Sequence, residues 1–389
     1  MKLLPLVQRG YWTAWAANLL FFAAFYTLLV PLPLYLTNVG LPDWHIAVIL
    51  GAFGVASLVG RPLSGVLSDA WGRRQVMIIG ASSLLVGAVG VTATTDALLL
   101  FGLRVLQAAG YVAFTTAATA LVSDLAPSQQ RGSALAFFGV SANVAMTVTP
   151  AAVNAALNAL TLKGAFWLSG ALAVVGCVLA LRVHQEPVTQ KQGIIWSNLV
   201  QVPGQLRLPM AAAVLFGVGF GAFFQFLPLL TERRGLGPAG LVYAVYGAGI
   251  IATRLATWRL QDRGDRAQML LPAFLLLAAG LVGIAFANSQ VMLLIAAGLV
   301  AVGSGVLHPA LIAFHVECAT EDERGRAAAV FYLGFDLGIG AGAWVLSPAF
   351  QWLGVTGLYL LAAAAGAMGT LTVILMARRA KEAVPVGLR

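Results

Sequence analysis

Arg61-Pro-Leu-Ser-Gly-Val-Leu-Ser-Asp69 closes one apolar run, and Arg254-Leu-Ala-Thr-Trp-Arg-Leu-Gln-Asp262 closes another, 193 positions later. The same offset carries Asp124 onto Glu317, Arg131-Gly132 onto Arg324-Gly325, and Asn143 onto Asp336. One spacing that serves several separated landmarks implies a chain built as a parallel internal repeat. The expected organisation is a bundle at 1–183, a linker at 184–207 and a second bundle at 208–389. The linker is polar and carries Pro187 and Pro203. Its Ile194, Ile195, Trp196, Leu199 and Val200 suit either an amphipathic interfacial stretch or a partly ordered cytoplasmic connection.

Around the repeat the composition is that of a membrane protein. Of 389 residues, 60% are apolar and 10% charged, against ~25% charged in an average soluble domain. Mean hydropathy is +0.89. Twelve runs can each supply the ~20 apolar residues that a span requires: near 11–36, 45–68, 75–94, 97–122, 132–158 and 164–183, then 208–230, 240–261, 268–288, 291–316, 326–350 and 353–377. The predicted fold is all-α, twelve spans in two six-helix bundles, with no length left for a soluble catalytic domain.

The net charge of +9 does not point to nucleic acid. With both termini cytoplasmic, 17 of the 23 Lys and Arg residues fall on the cytoplasmic side, as the positive-inside bias requires. Arg233 and Arg234 are a local exception, beside Glu232. The opening residues lack a long apolar core and a small-residue cleavage site, so they read as a retained tail, not a signal peptide. Cys177 and Cys318 lie far apart in apolar context and indicate neither disulfide nor metal site. No G-x-x-x-x-G-K-[ST] occurs for a nucleotide, and no clustered Cys/His for a metal. No cofactor is expected, and no enzyme constellation is visible.

Gly65-Val-Leu-Ser-Asp69-Ala-Trp-Gly72-Arg73-Arg74 resembles the loop signature between the second and third spans of the major facilitator superfamily. Asp262-Arg263-Gly264-Asp265-Arg266 is a weaker second copy. In the fourth span, Arg104-Val-Leu-Gln107-Ala-Ala-Gly110 is similar to the R-x-x-q-G signature of that family's drug:proton antiporter branches. The resemblance implies a secondary transporter, with small-molecule substrate, protons and the bilayer as partners, in the cell (inner) membrane. It also implies a cytoplasmic latch at Gly65, Asp69, Gly72, Arg73 and Arg74 with Asp262 and Arg263. Asp69 would then meet the start of the eleventh span near Gly325.

Within the spans, Asp336 lies about eleven residues into the eleventh, roughly 16 Å deep at ~1.5 Å per residue. Buried carboxylates at such depth generally face the bundle interior. Gly334, Gly338 and Gly342 form a small-residue stripe suited to close packing, and Asp336 is about 200° around the helix from Gly334. It is either a proton-coupling or substrate group, or a structural hydrogen-bond partner. Arg104, Gln107, Tyr111 and Thr115 share one face of the fourth span, so Arg104 either serves a substrate or a carboxylate, or ties helices together. In the tenth span, Ser304, His308 and His315 share a face. His308 precedes Pro309 and is either a relay with Asp336 or a structural donor, and His315 reads as structural.

The first span offers Asn18, where some exporters of the family have an acidic residue, with Phe22, Phe25 and Tyr26. Phe220 and Tyr332 are further candidates for an aromatic-lined substrate site. Together these features predict a proton-coupled exporter of amphipathic or lipophilic molecules that functions as a monomer. The rival readings are an uptake or exchange carrier for an organic anion or sugar anchored by Arg104, and a flippase for a lipid or lipid-linked headgroup.

Overall fold

In the computed structural model the apolar runs fold as helices, and residues 9–127, 130–183, 202–263, 266–320 and 323–382 are described. The helices are α1 Arg9–Thr27, α2 Pro31–Asn38, α3 Asp43–Trp71, α4 Arg73–Gly90, α5 Ala97–Leu125, α6 Arg131–Leu181, α7 Arg207–Arg234, α8 Ala239–Arg263, α9 Arg266–Ala285, α10 Gln290–Glu317 and α11 Arg324–Glu382. Ten segments of the described residues are long and apolar enough to cross a membrane. Two of them, Ser133–Leu181 and Arg326–Arg378, are double-length, at 49 and 53 residues. Each is interrupted once, at Thr161 (φ 60°) and at Gly354 (φ 65°). Either side of each break has at least the ~20 residues that a crossing needs, so each double-length segment supplies two of the expected spans. The first predicted span differs in detail. Helix α1 stops at Thr27, and α2 restarts at Pro31 with Pro at its first turn, because proline supplies no backbone donor to a helix interior.

Local chemistry sets the ends of these elements. The Asp96 carboxylate accepts from Leu99 N at 2.9 Å and caps α5, and Ser289 does the same for α10 through Met292 N. Gly72 (φ 100°) makes the turn between α3 and α4, and Gly235 (φ 62°) ends α7 in the left-handed conformation, both open to glycine at little steric cost.

The chain divides into two compact units: Met1–Leu41, Val55–Asn198 and Pro238–Ala244 in one, Pro42–Gly54, Leu199–Gly237 and Val245–Arg389 in the other. The expected linker at 184–207 lies outside the described residues up to position 201, and its last part is the short helical turn Gly204–Leu206 that leads into α7.

In the first unit α4 crosses α5 where a Cβ on Gly80 would stand 2.7 Å from Gly110 O, and one on Gly87 2.6 Å from the Gln107 side chain and 3.0 Å from Leu103 O. In the second unit α9 crosses α10 in the same manner. A Cβ on Gly303 would stand 2.7 Å from Ala273 O, and one on Gly280 2.8 Å from both Ala296 O and Val300 N. Gly80 and Ala273, Gly87 and Gly280, Leu103 and Ala296, Gln107 and Val300, and Gly110 and Gly303 are all 193 positions apart. The repeat therefore conserves a helix crossing built on close backbone approach.

Helix α1 is tied to α6 by polar groups in the apolar interior: Tyr11 Oη donates to Ala134 O at 2.8 Å, Asn18 Nδ2 to Ser141 Oγ at 2.7 Å, and Ser169 Oγ to Ala24 O at 2.7 Å. In the second unit the glycine stripe of α11 packs on α7. Cβ atoms on Gly334, Gly338 and Gly342 would meet Met210, Val214 with Gly217, and Val218. The N-terminal half of α3 also lies on α11, with Trp344 Nε1 donating to Val48 O at 3.0 Å.

Candidate functional site

The first unit gathers several of the predicted site residues around Arg104 on α5. Only 6% of Arg104 is exposed. Its Nη1 donates to Gln107 Oε1 at 3.1 Å, and Gln107 Nε2 in turn donates to Gly87 O on α4 at 2.8 Å. The guanidinium lies 5.8 Å from the centre of the Phe25 ring, within cation–π range. Phe25 and Tyr111 rings are 4.5 Å apart, Phe22 and Tyr111 5.7 Å, and Phe22 and Tyr26 5.7 Å. Arg104 Nε has no hydrogen-bond partner, and the residue makes no ion pair among the described residues. Gln107 is thus a bridge between the arginine and a neighbouring helix. Asn18 is placed differently from its neighbours on α1: its amide is spent on Ser141. The Thr115 hydroxyl is likewise spent on Tyr111 O of its own helix, at 2.8 Å.

At one end of this unit Arg73 pairs with Asp69 one turn away and donates from Nε to Asp124 Oδ2 at 3.2 Å. The predicted latch residues Asp69 and Arg73 are thereby brought together, with Gly72 forming the turn. Asp124 is an addition that sequence reasoning noted only as a repeat landmark. The side chains of Asp262 and Arg263 lie outside the described residues.

The second unit places Asp336 on α11, 2% exposed, on the side of the helix away from the glycine contact with α7. The same unit holds a continuous aromatic cluster between α7, α10 and α11. His308 on α10 stands 5.3 to 6.5 Å from the rings of Phe331, Phe335, Tyr332 and Phe216. Phe220 lies 4.5 Å from Phe224 and 5.1 Å from Phe335. His315, buried, has Nδ1 2.7 Å from Leu311 O of its own helix, in keeping with a structural role. Among the described residues no group of three or more His, Cys, Asp or Glu is arranged to hold a metal.

The two arginines that broke the charge pattern have partners here. Arg233 forks onto the Asp43 carboxylate, with Nη1 to Oδ2 at 2.9 Å, and lies 4.9 Å over the Phe350 ring. Arg234 donates to Ala287 O at 2.9 Å, Ala285 O at 2.8 Å and Thr356 Oγ1 at 2.6 Å. It caps the carbonyl end of α9, where a cation is favoured. Neither partner set is adjacent in sequence, so no local signal marked them.

The profile of the Major Facilitator Superfamily matches residues 14–263 and 237–388. The chain belongs to the major facilitator superfamily. It is therefore a multi-pass membrane transporter and not an enzyme. It is 24% identical over 379 residues to the MFS-type transporter YhhS of Escherichia coli, covering 94% of this chain and 92% of that one. It is 19% identical over 304 residues to the quinolone resistance protein NorA of Staphylococcus aureus, covering 76% and 78%. The nucleoside transporter NupG has the same fold, with a TM-score of 0.77 at 13% identity over 95% of this chain and 100% of that one.

Proposed function

We propose that this superfamily member is a proton-coupled exporter of amphipathic small molecules that works by alternating access in the inner membrane, with both termini cytoplasmic and one chain as the functional unit. The observation that carries the reading is Asp336, 2% exposed on a membrane helix. A carboxylate in that position is costly, by ~2.5–3.5 kcal/mol on insertion scales, and becomes neutral by taking up a proton. The glycine contact with α7 leaves Asp336 on the opposite side of α11. Export as the direction draws its support from NorA, a resistance protein, among the relatives. Asp69 and Arg73, with the Gly72 turn, act in this reading as one half of a cytoplasmic latch with Gly65 and Arg74, and Asp262 and Arg263 as the other.

The test uses purified protein in liposomes with a lumenal pH dye and an imposed proton gradient. Lipophilic cations, organic anions and sugars are added in turn to wild type and Asp336→Asn. Substrate-triggered proton flux that is lost in the variant is the expected result. Substrate movement without proton flux, unchanged in Asp336→Asn, overturns the coupling reading.

A further inference from the structure

Beyond the residues already discussed, the second unit gathers three hydrogen-bond donors in an apolar setting with too few acceptors for them. Tyr246 on α8 is fully buried and Ser304 on α10 is 1% exposed. The two hydroxyls lie within hydrogen-bonding reach of each other, and no other group among the described residues bonds either one. Arg254, two turns further along α8, is partly buried, lies within electrostatic reach of Tyr246 and Tyr332, and has Nε without a partner. It makes no hydrogen bond or ion pair among the described residues. Helices α8 and α10 are in direct contact here, since a Cβ on Gly305 would stand 3.0 Å from Thr253 Cβ.

Native interiors seldom leave buried polar atoms unpaired, and a group of them in one place calls for an explanation. A guanidinium in a membrane span needs a counter-charge or a watery path. Each of these three side chains is a donor: Arg254 is donor-only, and the two hydroxyls, when bonded to each other, keep one proton to give. The complementary ligand is an acceptor with negative charge. One guanidinium neutralises one charge, so a monoanion fits better than a dianion, and the planar fork of arginine matches a carboxylate in two-point contact. Next to these donors stand the rings that would take an apolar body. Tyr246 lies 5.1 Å from Phe224 and 6.5 Å from Phe220 between ring centres, and Phe220 itself is only partly buried.

We infer that Arg254, Tyr246 Oη and Ser304 Oγ form a subsite for the carboxylate of an amphipathic organic monoanion whose aromatic or aliphatic body lies against Phe220 and Phe224. This inference rests on the transporter reading above and narrows its substrate class.

The test is equilibrium binding of three probes of one shape to purified full-length protein in nanodiscs: 2-naphthoate, 2-naphthylmethanol and 2-naphthylmethylammonium. Wild type is expected to prefer the carboxylate. Arg254→Gln should weaken naphthoate by about 10–100-fold, the range for a hydrogen bond to a charged group, and leave the alcohol within about threefold. Tyr246→Phe, which removes only the hydroxyl, should weaken naphthoate by about threefold to tenfold. Each variant is first checked for a monodisperse gel-filtration peak and wild-type thermal unfolding, and Arg254→Lys replaces Arg254→Gln if the neutral variant fails. Wild type that prefers the alcohol or the cation, or binds none of the three, overturns the subsite. So does a folded Arg254→Gln or Arg254→Lys with wild-type naphthoate affinity. Proton flux is read separately with Asp336→Asn. Arginine-dependent naphthoate binding without proton flux keeps the subsite and removes the coupling. Proton flux driven by a cation and indifferent to Arg254→Gln keeps the coupling and removes the subsite.

Discussion

Among the described glycines of the second unit, a Cβ would meet the shortest distance at Gly340. A Cβ built there stands 2.0 Å from Gly54 Cα, 2.1 Å from Gly54 N and 2.9 Å from Gly51 O. Carbon atoms in contact normally sit about 3.5–4.0 Å apart, so Gly340→Ala forces α3 and α11 to separate by about 1.5 Å. Backbone atoms on both sides leave no flexible side chain to give way. Overpacking of this kind costs about 1–3 kcal/mol. The same separation stretches the Trp344 Nε1 bond to Val48 O, worth about 1 kcal/mol. Against this, alanine is the better helix former by about 0.8–1 kcal/mol. The net expectation is a loss of about 1–3 kcal/mol. The control is Gly298→Ala, where nothing lies within 4 Å of the new Cβ, and which should be neutral or slightly stabilising. Thermal unfolding of both variants in one detergent, followed by tryptophan fluorescence, gives the comparison. Gly340→Ala that unfolds together with or above Gly298→Ala refutes the argument from close approach.

Other consequences are open to equally direct checks. Arg234→Gln removes the charged cap from the carbonyl end of α9, so stability should fall by about 1–2 kcal/mol, read by denaturant or thermal unfolding. A double-mutant cycle on Asp69→Asn and Arg73→Gln should return a coupling of about 0.5–1 kcal/mol that shrinks as salt is added, because Asp69 is a third exposed. A salt-independent coupling would contradict it. Burial, and to a lesser degree the Glu317 carboxylate, raise the Cys318 thiol above its ordinary range. Its thiolate is therefore scarce at neutral pH. Maleimide labelling of Cys318 in a Cys177→Ser background should be slow at pH 7 and accelerate through pH 9, and Glu317→Gln should move that rise to lower pH.

Much of the architecture is legible in the sequence because the bilayer leaves few choices. A span must satisfy its own backbone hydrogen bonds, so long apolar runs become helices, and the offset of 193 relates the α4–α5 crossing to the α9–α10 crossing. The glycine stripe at 334, 338 and 342 was legible for the same reason: spacing along a helix is a local property, and it placed Asp336 opposite the contact with α7. Phe22, Phe25 and Tyr26 on one helix, and Arg104 and Tyr111 on another, were legible as faces, and only the structure brings the two faces together.

What only the tertiary structure decided are the partners. Asn18 and Gln107 look alike as polar groups in apolar helices, yet Asn18 is committed to Ser141, and Gln107 joins Arg104 to Gly87 O. Arg233 broke the charge rule until Asp43, 190 positions away, was found beneath it. Arg254 was visible only as a repeat landmark, because its setting depends on Tyr246, Tyr332 and Ser304, contributed by three different helices. Hydropathy and helical periodicity record how each helix meets its solvent, whereas a hydrogen bond depends on the distance between two side chains. That distance is set by how helices cross, which no single segment encodes.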